Sequence, residues 1–226
     1  YPVTDTRSFR SDNFTTLIAA ELHAGNLLND EVWHLLAVGL PLDFAPKKEH
    51  EGIVALAGRA FAAGAFIGIV HPAWYGLAPE DARILPFAHA VEVYNHGAQM
   101  ANDRGDGWGL CDVLLNRGSR LHAFATDDAH HMAHDAFGGW IFAKAERLEP
   151  QLILQSLKSG AFYSSQGPQI ENITIEGDVV SVECSPASTV IISGRGSRSD
   201  KVFGTKLRSA RLPLGRFVQG HFRITV

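Results

Sequence analysis

The composition is that of an ordinary globular protein. The chain has 226 residues, of which 46% are hydrophobic and 19% charged, and its formal net charge is −4 at pH 7. These values exclude a disordered chain, a collagen-like fibre and a coiled coil. The length predicts one large domain, or one domain with a small appendage. Two cysteines are too few for a disulfide scaffold.

The sequence shows no secretion signal, no membrane-spanning segment and no overall basic charge. No apolar run reaches the roughly 18 residues that a spanning helix needs, and the chain does not open with a charged segment followed by an apolar one. The negative charge provides no field that attracts nucleic acid or an anionic membrane. We therefore expect a cytoplasmic protein. The chain begins with Tyr1 rather than methionine, and we expect a truncated or processed start.

Short apolar runs alternate with helix-like segments through the first 160 residues. The runs predict strands at Thr16–Ala20, Trp33–Val38, Phe66–Val70, Ala90–Val93 and Leu121–Ala125. Helices are predicted at Pro46–Ala63, Pro79–Leu85, Trp108–Asn116 and Pro150–Ser159. Pro79 and Pro150 suit the first position of a helix, whereas Gly118 and Gly160 suit its C-terminal cap. This alternation predicts a parallel sheet, either open or closed into a barrel.

The pattern changes after Gly160. Polar and apolar residues alternate from Ile170 to Cys184, and Gly177-Asp178 interrupts them as a turn between two strands would. Further strands are predicted at Val190–Ser193 and Phe217–Val226, and no helical pattern intervenes. We therefore expect a first domain over residues 1–160 and a small antiparallel β unit over residues 161–226.

Polar side chains follow four of the predicted strands. Glu21 follows the first strand, His71 the third, Asn95 the fourth, and Asp128 with His130 the fifth. In β/α barrels the active site is built where the strands end. Carboxylates and imidazoles together suit a divalent ion such as Mn, Zn or Fe. The sequence therefore predicts a metal site at these strand ends.

Several of these residues also have a structural interpretation. His71 precedes a proline and His34 lies within an apolar run, and both are compatible with hydrogen-bonded structural histidines. Asp127 is compatible with a helix cap, and His134 with a solvated surface residue. His130 and His134 are four residues apart, a spacing that places two imidazoles on one helical face.

Other catalytic patterns are missing from the sequence. There is no G-x-S-x-G nucleophile elbow, no P-loop, and no G-x-G-x-x-G after a strand. Nucleotide-fold chemistry is therefore not expected. The remaining histidines, His23 among them, show no ligand spacing.

Five short motifs occur in an order that is typical of one superfamily. They are Thr4-Asp5, Ala20-Glu21, His71-Pro72, Glu92-Val-Tyr-Asn95 and Thr126-Asp-Asp-Ala-His130. In these motifs the chain resembles the PHP (polymerase and histidinol phosphatase) superfamily. Gly138-Gly-Trp140-Ile and Gly160-Ala-Phe-Tyr-Ser-Ser-Gln-Gly-Pro168 are similar to its CehA/McbA-like metallohydrolases. The resemblance covers nearly the whole chain.

The resemblance implies an α/β fold, a distorted PHP-type (β/α)7 barrel followed by the C-terminal antiparallel β unit. The family's first strand carries a His-x-His pair, and this chain has no such pair before Thr4-Asp5. The next family motif reads Thr-Asp-His, whereas this chain has Thr6 in place of the histidine. We expect that these two departures reflect a barrel without its first strand; the alternative is a real loss of metal ligands.

The resemblance also implies the residues of the site. The implied ligands of one to three divalent ions (Mn, Zn or Fe) are Glu21, His34, His71, Asp128 and His130. Glu21 would bridge two ions, and we expect Glu21, His71 and Asp128 to be the catalytic residues. Trp74 and Asn95 are expected to contact a small-molecule substrate.

The function implied by the resemblance is that of a metal-dependent hydrolase of the phosphoesterase type. A metal-activated water would attack a small phosphoester or a related ester. The alternative is a catalytically degenerate scaffold that serves as a binding or interaction module, which Thr6 and the missing His-x-His pair favour. A nuclease is a weaker hypothesis, based on basic residues in the last third of the chain, where a solvated β face is the other interpretation. These residues are Arg195, Arg198, Lys201, Lys206, Arg208 and Arg211.

Overall fold

A computed structural model describes residues 3–217 and 220–226, which form two units. The first unit comprises residues 3–111 and 120–164, and the second comprises residues 112–119, 165–217 and 220–226. The strands are β1 (Ala19–Asn26), β2 (Val32–Val38), β3 (Phe66–Ile69), β4 (Ala90–Asn95), β5 (His122–Thr126), β6 (Trp140–Ala143), β7 (Phe162–Ser165), β8 (Ile170–Glu176), β9 (Val179–Gly194), β10 (Ser199–Pro213) and β11 (Phe222–Thr225). The helices are α1 (Ile53–Ala62), α2 (Pro79–Ala82), α3 (His96–Asn102), α4 (Trp108–Asn116) and α5 (Pro150–Ser159), and a 3-10 turn covers Arg7–Phe9.

The first unit is built on a five-stranded sheet with the order β1-β2-β3-β4-β5. Strand β2 runs antiparallel to both β1 and β3, whereas β3 and β4, and β4 and β5, are parallel pairs. The expected (β/α)7 barrel is therefore wrong. Within the described residues the sheet is mixed, and it ends at β1 and β5 without closing.

The connection between the first two strands explains part of this difference. Residues 27–31 form a tight turn, in which Leu27 N–H donates to the carbonyl of Glu31 and Asp30 N–H donates to the carbonyl of Leu27. A parallel pair needs a crossover of about a dozen residues or more, which this turn cannot provide. Strands β1 and β2 therefore pair as an antiparallel hairpin.

Alternation along β1 and β2 gives the hairpin two different faces. Leu22, Trp33 and Leu35 are buried on one face, and α1 packs against β1, β2 and β3. Each large side chain that is removed from water in this way contributes roughly 2–3 kcal/mol. On the other face, Leu36 packs in a cluster with Phe66 of β3 and with Leu154 and Leu157 of α5. Glu21, His23 and His34 point to this second face.

Helices α4 and α5 have the bounds that the sequence predicts, and the other elements differ in instructive ways. Strand β1 begins at Ala19 and runs to Asn26, so Glu21 lies inside a strand rather than after one. Helix α1 begins only at Ile53, because Arg59 of that helix binds the Glu51 carboxylate and the carbonyls of Ala45 and Pro46, which fixes the preceding segment as a loop. In the described chain no helix combines the length and the apolar character that crossing a membrane requires.

The second unit contains an antiparallel sheet centred on the long strand β9. Strand β10 pairs with one side of β9, and β8 and β11 pair with different stretches of its other side. Val180, Val182, Ile192 and Leu212 are completely or almost completely buried in its core. Of the strand predicted over residues 217–226, β11 covers Phe222–Thr225, and residues 218 and 219 lie outside the described residues. The basic residues singled out above are exposed in this unit.

Candidate metal centre

The register of the β1–β2 hairpin brings three polar side chains together. His23 pairs directly with His34, and Glu21 pairs with Leu36 one step further along the same face. Side chains that lie opposite each other in an antiparallel pair are about 5 Å apart at their β-carbons. The imidazole rings of His23 and His34 stack with their centroids 3.9 Å apart. One ligand atom from each of Glu21, His23 and His34 lies within 4.8 Å of the other two.

Three imidazole nitrogens approach a single oxygen of Glu21. His34 Nδ1 lies 2.7 Å from Glu21 Oε1, His71 Nε2 lies 3.2 Å away, and His23 Nε2 lies 3.3 Å away. Burial opposes the ionisation of Glu21, but the hydrogen bonds from His34 and His71 outweigh it and hold the pKa of Glu21 well below its usual range. Burial, together with the neighbouring His34, lowers the pKa of His23. The site therefore combines an ionised carboxylate with imidazoles.

His71 follows β3 in an unusual backbone conformation. Its φ is 29°, in the left-handed region that residues other than glycine rarely adopt. Burial disfavours the imidazolium, but the hydrogen bond to Glu21 and the nearby carboxylates Glu92 and Asp128 raise the pKa of His71. Its second ring nitrogen, Nδ1, is buried and makes no hydrogen bond within the described residues. In its neutral form, a ring that donates from Nε2 carries its lone pair on Nδ1, so this atom is then available to a cation, which would displace the proton.

A buried carboxylate, that of Glu92, supports the site through hydrogen bonds. Glu92 of β4 is 1% exposed, and it accepts hydrogen bonds from the backbone N–H of His71 (2.5 Å), from Asn95 Nδ2 (3.0 Å) and from Thr126 Oγ1 (2.5 Å). Burial raises the pKa of Glu92 to about 7 in spite of these hydrogen bonds. Asn95 Nδ2 also reaches Asp128 Oδ2 at 3.2 Å. A chain of contacts thus runs from His71 through Glu92 and Asn95 to Asp128.

The segment after β5 is fixed by two further carboxylates. Asp127 accepts hydrogen bonds from the backbone N–H groups of Phe137, Gly138 and Gly139. Asp135 accepts from the backbone N–H groups of His130 and His131. Asp127 therefore organises a loop rather than capping a helix. The segment held in this way carries Asp128, which has a φ of 51°, and the exposed His130. His130 Nδ1 lies 2.8 Å from the carbonyl oxygen of Asp128.

The residues of the centre line one cavity of about 680 Å³. Its polar wall consists of Glu21, His23, His34, His71, Asp128, His130, His131 and Asp135. The other lining residues are apolar: Trp74 and the small residues Gly97, Ala98 and Ala101 of α3. Trp74 is 38% exposed, and its ring centroid lies 5.3 Å from that of His71. The cavity is therefore large enough to hold a small molecule beside the polar wall.

The structure brings most of the predicted site residues together. Six of them line this cavity: Glu21, His34, His71, Trp74, Asp128 and His130. Asn95 does not line it, since it is 1% exposed and its side-chain oxygen accepts from the backbone N–H of Ala98 at the start of α3. The role of Asn95 in substrate binding stays a prediction. At the start of the chain, Asp5 is exposed and its carboxylate binds the guanidinium of Arg7.

Sequence reasoning missed one residue of the cluster, His23, and one buried residue that supports it, Glu92. His23 has no ligand spacing along the chain, and its place in the site depends on the pairing of β1 with β2. The polar turn at Asn29-Asp30 is the signal from which that hairpin could have been predicted. Glu92 is part of the motif Glu92-Val-Tyr-Asn95, but the motif does not reveal its importance, which lies in contacts with His71 and Thr126, distant in sequence.

The donor set fits a divalent cation. Carboxylate oxygens and imidazole nitrogens are the ligands that Mn, Fe and Zn take in proteins. Here such atoms converge from two strands of one hairpin and from the segment after β3. His71 Nδ1 is a buried polar atom that a ligand would satisfy. We therefore treat this cluster as a candidate metal centre.

The comparisons with known proteins give a likeness of fold. The chain is similar to a two-domain protein from Bacteroides vulgatus that contains a predicted PHP-like metal-dependent phosphoesterase. The TM-score is 0.50 and the sequence identity 15%, over 91% of this chain and 67% of that protein. At this identity the likeness shows a shared fold. No protein-family model matches the sequence, and neither does any curated protein.

Proposed function

We propose that the protein is a metal-dependent hydrolase of the PHP type that acts on a small phosphoester or a related ester. The observation that carries the proposal is the convergence of three imidazole nitrogens, from His23, His34 and His71, on one oxygen of Glu21. The cavity beside this cluster and the fold shared with a PHP-like protein support it. The five motifs of the sequence favour the PHP superfamily, and the stretches Gly138-Gly-Trp140-Ile and Gly160-Ala-Phe-Tyr-Ser-Ser-Gln-Gly-Pro168 favour its CehA/McbA-like subgroup.

The side chains of the cavity divide into two groups in this proposal. Glu21, His23 and His34 would hold a divalent ion, and His71 Nδ1 with Asp128 and His130 could hold a second. A divalent ion at such a site polarises a phosphoryl or carbonyl oxygen and activates water for attack. The depressed pKa of Glu21 keeps this carboxylate ionised at neutral pH, as a ligand must be. Trp74 offers a flat apolar surface for the part of the substrate that does not react.

Metal stoichiometry tests the proposal directly. The purified chain is dialysed against Mn²⁺ or Zn²⁺, and bound metal is measured by elemental analysis for the wild type, Glu21→Gln and His34→Ala. We expect at least one ion per wild-type chain and a large loss in both variants. His50→Asn is the matched control, because His50 is exposed and asparagine tolerates its φ of 59°. This control should bind as much metal as the wild type.

The substrate class is tested on the metal-loaded protein with three chromogenic esters. p-Nitrophenyl phosphate, bis(p-nitrophenyl) phosphate and p-nitrophenyl acetate separate phosphomonoesterase, phosphodiesterase and carboxylesterase activity. We expect turnover of a phosphoester that disappears in Glu21→Gln. If the wild-type chain binds no metal and hydrolyses none of the three, the proposal is wrong, and the degenerate scaffold takes its place.

A further inference from the structure

We propose that Glu92 is a positioning residue of the metal centre, which fixes His71 and Asp128 without contacting the ion or the substrate. This inference rests on the proposed function, because it assigns Glu92 a role in holding the ligands of that site. Glu92 does not line the cavity and is 1% exposed. Whatever it contributes must therefore pass through the groups that it contacts.

The two carboxylate oxygens of Glu92 serve different partners. Oε2 accepts hydrogen bonds from His71 N–H and from Asn95 Nδ2, and Oε1 accepts one from Thr126 Oγ1. These three donors belong to the segment after β3, to the end of β4 and to the end of β5. A single side chain thus joins three neighbouring chain segments at the edge of the sheet where the cavity lies.

The contact with His71 has a specific conformational consequence. A φ of 29° is unfavourable for histidine by about 1–3 kcal/mol and persists only when the surroundings impose it. The hydrogen bond from the His71 backbone to Glu92 Oε2 is one such restraint. The same backbone conformation places the ring of His71 with Nε2 3.2 Å from Glu21 Oε1. Release of this N–H would let the ring leave the cluster.

The second contact transmits the restraint to Asp128. Asn95 Nδ2 donates to Glu92 Oε2 and to Asp128 Oδ2, so Glu92 and Asp128 share one amide group. Asn95 Oδ1 accepts from Ala98 N–H and fixes the plane of that amide. Glu92 therefore determines, through Asn95, where the Asp128 carboxylate stands at the cavity wall. Partners that orient metal ligands in this way typically account for 10- to 100-fold in metal affinity.

If Glu92 served only to pack the core, an apolar side chain would do so at a lower free-energy cost. A carboxylate at 1% exposure loses its hydration, and burying it is unfavourable unless donors compensate. Here three donors do so, and two of them belong to the groups that shape the centre. The geometry thus points to orientation of the ligands, rather than to core packing, as the function of Glu92.

The test measures Co²⁺ affinity and the visible absorption of bound Co²⁺, which reports the geometry around the ion. Four chains are compared with the wild type: Glu92→Leu, Glu92→Asp, Glu92→Gln and Thr126→Val. Leucine removes the acceptor, and aspartate withdraws it by one methylene while keeping the charge. The amide oxygen of glutamine can still accept hydrogen bonds from His71 N–H and Asn95 Nδ2. Its amide nitrogen can donate to the Thr126 hydroxyl oxygen, which is able to accept a hydrogen bond. Thr126→Val removes only the donor on Oε1.

We expect Glu92→Leu and Glu92→Asp to bind Co²⁺ 10- to 100-fold more weakly, with an altered absorption spectrum at saturation. Glu92→Gln should retain the wild-type spectrum and affinity within a few-fold. Thr126→Val should lose stability but bind Co²⁺ as the wild type does, a split that separates folding from positioning. If Glu92→Leu does not fold, Glu92→Asp decides.

Two results would overturn the proposal, and they are distinguishable. In the first, the wild type binds Co²⁺, and the variants Glu92→Leu and Glu92→Asp (or whichever of them folds) bind it with the same affinity and spectrum. Glu92 is then not a positioning residue, although the proposed metal centre stands. If the wild type itself binds no Co²⁺, the proposed function fails and the role of Glu92 fails with it.

Discussion

Glu51→Gln is expected to destabilise the first unit in a manner that depends on pH. The Glu51 carboxylate binds Arg59 through two short contacts, Nε to Oε1 at 2.8 Å and Nη2 to Oε2 at 2.9 Å, and it also accepts from Lys48 N–H. The Arg59 guanidinium continues to the carbonyls of Ala45 and Pro46. The pair therefore attaches the loop before α1 to the helix, and the substitution weakens this attachment.

The magnitude follows from the pKa of Glu51. The hydrogen bond from Arg59 lowers it from 4.5 to about 2, against the opposing effect of burial. By linkage, a shift of this size corresponds to about 3 kcal/mol at neutral pH. The Arg59 side chain is 25% exposed, so water screens the pair, and we expect about 1–2 kcal/mol. Because the pKa is depressed in the folded state, this stability is present above pH 4.5 and is lost as the pH falls towards 2.

Urea denaturation at pH 7, 5 and 3.5 measures this contribution. Trp33, Trp74, Trp108 and Trp140, the four tryptophans of the chain, all belong to the first unit, so their fluorescence reports its unfolding. The difference in unfolding free energy between wild type and Glu51→Gln should be nearly the same at pH 7 and pH 5, smaller at pH 5 by only about 0.2 kcal/mol. It should be at least about a third smaller at pH 3.5. Glu49→Gln is the control, since Glu49 is 89% exposed. A difference that does not change with pH would refute the reasoning.

Two further predictions concern metal binding and a helix cap. Mn²⁺ or Zn²⁺ at about 100 times its dissociation constant should stabilise the first unit by about 2.7 kcal/mol, and so raise Tm by roughly 5–10 °C. This rise should vanish in Glu21→Gln or after chelation of the metal. An equal rise in the variant would contradict the assigned site. Gly160→Ala should cost about 2–4 kcal/mol in urea denaturation, because Gly160 has a φ of 73° and a β-carbon there would lie 2.1 Å from the His122 ring. An unchanged midpoint would show that the cap of α5 relaxes freely.

Local sequence signals were sufficient where the chain's own chemistry determines an element. Helix α5 begins at Pro150 and ends before Gly160, whose φ of 73° suits a residue without a side chain. The alternation from Ile170 to Cys184 corresponds to β8 and the first part of β9, with the turn between them at residues 177 and 178. The strand ends that carry His71, Asn95 and Asp128 were also found from apolar runs alone.

Strand direction and strand neighbours required the tertiary structure. An apolar run predicts that a strand is buried, but it does not say whether the next strand is parallel or antiparallel. The alternation of strands and helices predicted a parallel sheet, and the closed (β/α)7 barrel was expected from the resemblance to the PHP superfamily. The five-residue turn of the β1–β2 hairpin decided the direction of β1, and its register placed His23 opposite His34. The spacing of residues along the chain cannot predict this pairing, because it depends on the register between two strands.

The sequence by itself determined the chemical types that this protein brings together, carboxylates and imidazoles within or just after apolar strands. Only the tertiary structure decided which of them meet. It placed the three histidines around Glu21 and gave Glu92 three donors from separate segments. The physical reason is that burial and alternation are local properties of a chain, whereas a ligand cluster depends on distances between segments that only folding establishes.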